Sequence, residues 1–179
     1  MNGRSFSLQP FPYASPPPEG EITGGVARRG HKLTIRYALR GRLGGVAIPP
    51  PAQKPARKHG LWEETCFEFF LALKNSPRYW EFNLSPAGHW NVYRFSGYRQ
   101  GMEEETAYTS LPFRVQTRED SLLLDLELEA AKIVPADRPL EVAVTAVIRL
   151  AGGEVSYWAL THHGSEADFH RRDSFIMAL

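Results

Sequence analysis

The chain has 179 residues, 42% of them apolar and 12% aromatic, with 21 Lys and Arg against 20 Asp and Glu. That is the make-up of one globular domain, and it excludes a disordered tail or a membrane-spanning segment as the bulk of the chain. At this length folding buries roughly 70% of the surface the unfolded chain exposes, so the core needs neither disulfides nor a structural metal. The single cysteine, Cys66, excludes an intramolecular disulfide and a zinc site of several thiolates, and favours a reducing compartment.

Met1 to Pro12 lacks the apolar run of a secretory signal, and no stretch approaches the length of a membrane span. The expectation is a cytoplasmic protein with no membrane partner. Pro10, Pro12 and Pro16 to Pro18 break the start of the chain. Residues 1–60 carry ten Lys and Arg against Glu19 and Glu21, a net +8, and the rest carries a net −7. The basic stripe Arg28, Arg29, Lys32, Arg36, Arg40 and Arg42 reads as a solvated strand face that pairs with acidic strands of the same fold, or as a surface for an acidic partner. No nucleic-acid motif accompanies it, so no nucleic-acid partner is expected.

Lys32 to Leu39 alternates apolar and polar residues as a half-buried strand does, and Pro49, Pro50, Pro51 and Pro55 make Val46 to Gly60 a long polar loop. Cys66 to Leu73, Tyr79 to Leu84 and Trp90 to Phe95 read as consecutive strands, with turns at Asn75-Ser76-Pro77 and Pro86-Ala87-Gly88. Leu122 to Leu128 alternates most regularly. Ala130 to Val134 is the one place for a turn of helix, and Val142 to Ile148 and Glu154 to Leu160 form a hairpin about Gly152-Gly153. With no repeat and no break between two core-sized segments, residues 1–179 form one domain. The spacing predicts an all-β fold, an antiparallel β-sandwich of about nine or ten strands.

Strand alternation places Cys66, Glu68 and Phe70 on one face and Phe67, Phe69 and Leu71 on the other. In the next strand Tyr79, Glu81, Asn83 and Ser85 oppose Trp80, Phe82 and Leu84. If the polar faces align, one sheet surface carries Glu68, Glu81, Asn83 and either Arg94 or Asn91, bordered by aromatic rings. Such a face is either the outward side of a half-exposed sheet or a sugar site, in which rings cover the C–H faces of a pyranose and polar groups bind its hydroxyls. Paired carboxylates also serve glycosidases, but no spacing here sets their separation. His162, His163, His170, Asp168 and Asp173 are weak metal candidates. No Gly-x-Ser-x-Gly elbow supports a serine triad, and Cys66, inside a strand, is an inert thiol.

The runs Leu61 to Leu71, Tyr79 to Gly88, Asn91 to Arg99 and Ala167 to Phe175 resemble the bacterial DOMON-like proteins, which are related to the family 9 carbohydrate-binding modules; the resemblance covers about residues 60 to 175. It implies a jelly-roll-like sandwich whose slot clamps a terminal sugar between two tryptophans while a Glu and an Arg bind its hydroxyls. Trp62 and Glu68 stand at the family's Trp-x5-Glu spacing. Arg94 or Arg99 takes the arginine role, and Trp158 is the late tryptophan available as second clamp. The resemblance also carries a structural calcium, with ligands not identified, and a heme alternative through Met102, His89 or His170, for which no ligand spacing exists. The expectation is a non-catalytic binding module for a small saccharide around Trp62, Glu68, Glu81, Asn83, Arg94, Arg99 and Trp158. The alternative is a scaffold for a protein partner, with heme binding or glycoside hydrolysis behind it.

Overall fold

The computed structural model describes residues 2–12 and 19–179, so Met1 and the Pro16 to Pro18 run lie outside the described residues. The strands are β1 (Asn2–Pro10), β2 (Gly20–Arg29), β3 (Lys32–Gly41), β4 (Cys66–Leu73), β5 (Tyr79–Leu84), β6 (Trp90–Phe95), β7 (Glu103–Glu104), β8 (Phe113–Thr117), β9 (Ser121–Glu129), β10 (Leu140–Arg149), β11 (Val155–Ala159) and β12 (Met177–Ala178). The fold is all-β, and every pair of these strands is antiparallel. Among the described residues there are twelve strands rather than nine or ten, and helix is limited to four short 3-10 turns, one of them Ala130–Lys132.

The strands follow one path, β7-β6-β5-β4-β10-β11-β1-β2-β3-β9-β8, with β12 added to β10. β1 is the joint. It pairs with β2 from Asn2 to Leu8 and with β11 through Gln9 and Pro10, so one strand serves both halves of the path. Leu33, Ile35, Leu122, Leu124 and Leu126 of one half share a core with Phe67, Phe69, Phe82, Val142 and Val144 of the other. Phe69 and Phe82 stack at 4.4 Å, and Tyr37 meets Phe67 at 5.1 Å across the core. The β2 run Gly24-Gly25, which obscures this strand in the sequence, has a packing reason: a Cβ at Gly24 would stand 1.9 Å from the Arg36 carbonyl oxygen and 2.5 Å from the Phe6 ring.

The charge asymmetry closes within the fold. Lys32 pairs with Glu127 at 2.7 Å and Arg36 with Asp125 at 2.8 Å across β3 and β9, and Arg40 and Arg42 face Glu21 and Glu19. Arg28 donates to the carbonyls of Pro135 and Arg138. Exposed pairs of this kind add little stability, but they use much of the basic stripe internally. Val46 to Gly60 is also more than a solvent loop: Val46 bridges Leu150, while Arg57 donates to the Asn91 side chain at 2.7 Å and lies 4.4 Å from the Trp90 ring centre.

β4 is buried on both faces. Its Phe67, Phe69 and Leu71 enter the main core, while Phe70 and Ala72 join Tyr79, Tyr93, Phe95, Ala143 and Phe175 in a second cluster, against which Trp62 and Phe169 pack. The C-terminal segment that carries Phe169 and Phe175 therefore covers the side of the sheet where the candidate carboxylates stand. A hydrogen bond ties this strand to the opposite half: the buried Tyr37 hydroxyl donates to the Glu68 carbonyl at 2.6 Å. Tyr37→Phe is expected to cost about 1–2 kcal/mol, read as a lower urea midpoint at unchanged slope; an unchanged midpoint would show that the bond adds nothing.

Candidate functional site

Register carries the site across the sheet. Glu68 is paired with Thr145 on one side and Asn83 on the other, Asn83 with Asn91, and Glu81 sits between Phe70 and Tyr93. It is thus Asn91, not Arg94, that shares the face of Glu68, Glu81 and Asn83. On this face lies a cavity of about 440 Å³. Taken in strand order from β6 through β5, β4 and β10 to β11, its floor is Phe95, Glu81, Glu68, Val147 and Tyr157. The two carboxyls occupy adjacent strands at the middle, diagonal neighbours whose backbones stand about 7 Å apart, with a ring at either flank.

The walls come from elsewhere. Trp62 stands on the 3-10 turn Leu61–Glu63, which starts from Gly60 in the left-handed conformation at φ 74°. Its ring is braced by the edges of His59 at 5.0 Å and Tyr93 at 5.8 Å, and the Tyr93 hydroxyl is itself hydrogen-bonded to His59 and to the Asn91 amide. The C-terminal segment supplies Ala167, Phe169 and His170, and the loop after β6 supplies Arg99 and Met102. Phe169 meets Tyr157 at 5.9 Å, making a second aromatic wall.

Glu68 is 2% exposed and Glu81 4%. The Thr145 hydroxyl lies 3.5 Å from Glu68 Oε2, whereas Glu68 Oε1 is buried with no hydrogen-bond partner. Burial, with the charge of Glu81 added, holds the Glu68 carboxyl well above the ordinary range despite the Thr145 hydroxyl and the nearby Cys66 thiol. Burial likewise pushes Glu81 up to about 7, against the Asn83 amide, which donates to its Oε1 at 2.9 Å, and the charge of Arg99. His170 lies 3.7 Å from Glu81 Oε2, and its Nδ1 is bonded to the Tyr79 hydroxyl at 2.8 Å. Burial and the Arg99 charge lower this imidazole to about 4, so it is neutral near pH 7. At the rim, burial alone would raise Asp168, but the Tyr98 hydroxyl, the Arg99 guanidinium at 2.8 Å and the His170 amide hold it below its ordinary value.

The site therefore brings together Trp62, Glu68, Glu81 and Arg99, with Asn83 orienting Glu81 from beneath. Two expected residues lie elsewhere. Arg94 is exposed on the opposite face of β6 and paired with Glu103. Trp158 is 3% exposed in the main core, because strand alternation turns its neighbour Tyr157 to the cavity instead. Phe169 was not a candidate in the sequence; only the aromatic density of the C-terminal run hinted at it.

The metal candidates disperse: His162 meets the Gln9 carbonyl, Asp173 pairs with Arg171, and Asp168 with Arg99. Among the described residues no three His, Cys, Asp or Glu side chains converge as a metal-binding group. Of the heme candidates, Met102 and His170 line the cavity, with His170 Nδ1 bonded to the Tyr79 hydroxyl, and His89 accepts the Ala56 amide away from it. Cys66 is fully buried with its thiol pushed well up by burial and by Glu68, which suits a packing role rather than a nucleophile.

No protein-family model matches the chain, and no curated protein matches it. Solved structures do. A protein of Bacteroides uniformis proposed to be carbohydrate-binding aligns over 97% of this chain and 84% of its own, at 15% identity and a TM-score of 0.70. A family 9 carbohydrate-binding module from Caldicellulosiruptor kristjanssonii aligns in its glucose complex at 8% identity and TM-score 0.53, over 84% of this chain and 72% of its own. In its cellotriose complex it aligns at 8% identity and TM-score 0.56, over 90% and 74%. These likenesses establish a shared all-β fold.

The buried carboxyls make stability depend on pH. Between the ordinary Glu range and about pH 7 the folded protein holds more protons on Glu68 and Glu81 than the unfolded chain does, so their contribution falls as pH rises through that window. His170, lowered to about 4, works in the opposite direction between about pH 4 and 6.5. Glu81→Gln removes one carboxyl and keeps the imidazole. Its stability relative to the wild type is expected to rise by about 2–3 kcal/mol from pH 5 to pH 8, measured by urea unfolding at each pH; a flat difference would mean that Glu81 titrates alike in both states.

Proposed function

We propose that this protein is a non-catalytic saccharide-binding module and that the cavity over β4, β5 and β6 is its site. The observation that carries the reading is the pairing of buried acceptors with rings: Glu68 and Glu81 at the centre of the floor, framed by Trp62, Phe95, Tyr157 and Phe169. Rings cover the apolar faces of a pyranose, and fixed acceptors receive its hydroxyls, so binding needs both in one concave site. Trp62 is one wall of the clamp, and Tyr157 with Phe169 is the other, in the place first given to Trp158. Asn83 orients Glu81, and Arg99, fixed by Asp168, offers donors at the rim. The unpartnered Glu68 Oε1 is an acceptor that a ligand hydroxyl would satisfy. The fold likeness to family 9 modules that hold glucose and cellotriose supports this reading, as do the DOMON-like motifs and the jelly-roll-like sandwich they imply. The internal pairing of Lys32, Arg36, Arg40 and Arg42 weakens one form of the scaffold alternative, an acidic partner on the basic stripe, and leaves dimerisation through an exposed sheet untouched.

Thermal unfolding against mono- and oligosaccharides, glucose and cello-oligosaccharides first, tests it. A sugar at 100 times its dissociation constant stabilises by about 2.7 kcal/mol, which moves the midpoint of a domain this size by roughly 5–10 °C. Trp62→Ala, a substitution at a partly exposed wall, is expected to keep the fold and lose the shift. A shift that survives in Trp62→Ala would place the sugar elsewhere, and no shift with any sugar would overturn the reading.

A further inference from the structure

Most of the cavity's polar groups are already satisfied by the protein: Asp168 by Arg99 and Tyr98, His170 by Tyr79, and Asn83 by Glu81. The exception is the floor. Glu68 is 2% exposed with Oε1 unpartnered, and beside it Glu81 Oε2 faces only His170, at 3.7 Å. Two buried carboxyls on adjacent strands, with no cation between them among the described residues, are more acceptor capacity than a neutral hydroxyl requires, and burial makes them hold a proton that a bound cation could replace.

The surrounding charges do not supply the missing cation. Arg99 is the positive group at the cavity, and Asp168 balances it. His170 is neutral. Of the other titratable groups that face the pair, Cys66 from β4, Tyr79 from β5, Tyr93 from β6 and Tyr37 from the opposite half are all held protonated by burial above their ordinary values. Glu104 on β7 adds negative charge beside Tyr93 and Asn91. The site thus offers ionisable carboxyls and, among the described residues, no unbalanced cation, and rings of the kind that wall it attract a cation through their faces as well as covering a sugar.

We propose that the ligand is a saccharide bearing an ammonium group, seated with that cation between Glu68 and Glu81 and its ring against Trp62. This deepens the saccharide-binding reading and rests on it. The diagonal spacing lets both carboxyl arms reach one small cation, which gives Glu68 Oε1 its missing donor and removes the repulsion within the pair. The cation takes the place of a proton. Binding near neutral pH therefore releases about one proton, and affinity falls as acid refills the carboxyls.

Titration calorimetry of the full chain with glucosamine, N-acetylglucosamine and glucose separates the outcomes. At pH 7.5 glucosamine is expected to bind at least tenfold tighter than either neutral sugar. Its affinity is expected to drop tenfold or more by pH 5.5, against less than threefold for glucose, and buffers of different ionisation enthalpy are expected to report about one proton released. Glu81→Gln, checked for folding by circular dichroism, is expected to lose the preference; the wild-type pH series carries the test if that variant does not fold. Glucose or N-acetylglucosamine binding as tightly as glucosamine would overturn the ammonium inference and leave the saccharide reading standing. Failure of all three, and of the cello-oligosaccharides, would overturn both.

Discussion

Strand β4 is sealed on both faces, and the rest of the site follows from that constraint. A half-exposed sheet would leave Glu68 in water as an ordinary solvated carboxylate. Here the C-terminal segment returns over the outer face, laying Phe175 against Phe70 and Tyr79, and His170 against Phe70 and Phe95. The carboxyls at Glu68 and Glu81 are thereby drawn out of bulk water, which costs free energy unless they take up a proton or a partner. That cost leaves the acceptors of this face fixed and incompletely satisfied by the protein itself.

Packing and positioning are coupled by the same residues. Tyr79 stacks on Phe95 at 4.7 Å, accepts the backbone amide of Arg99 and is bonded to His170, so one side chain joins the sheet, the rim loop and the C-terminal segment. Arg99 then fixes Asp168 of that segment. Trp62 is held in a parallel way, through His59 and Tyr93 to the Asn91 row. The walls of the cavity are thus anchored to β5 and β6 of its floor, which keeps the cavity preorganised.

The fold also decides what the N-terminal third does with its charge. In sequence, +8 followed by −7 suggests two regions of opposite character. In space β3 lies between β2 and β9, so Arg36 is set directly across from Asp125 and Lys32 diagonally from Glu127. Long-range sheet pairing turns a linear asymmetry into cross-strand complementarity, whose main service is to register.

Period-two alternation was enough to locate β3 to β6 and β9 to β11, and to divide β4 and β5 into the faces that the structure shows, because alternation is a local property of extended chain. Glu68, Glu81 and Asn83 were legible on one face for the same reason, whereas Trp62, and Arg99 as one of two arginines, entered through motif resemblance. Glycine-rich β2 and the two-residue strands β7 and β12 carry too little alternation to be read locally, and pairing with neighbours alone makes them strands. The choice between Asn91 and Arg94, between Tyr157 and Trp158, and the arrival of Phe169 as a wall were beyond local reading. Each depends on which face of a strand the returning chain covers, and that is settled by contacts among residues some seventy to a hundred positions apart, such as Arg99 with Asp168 and Tyr79 with His170.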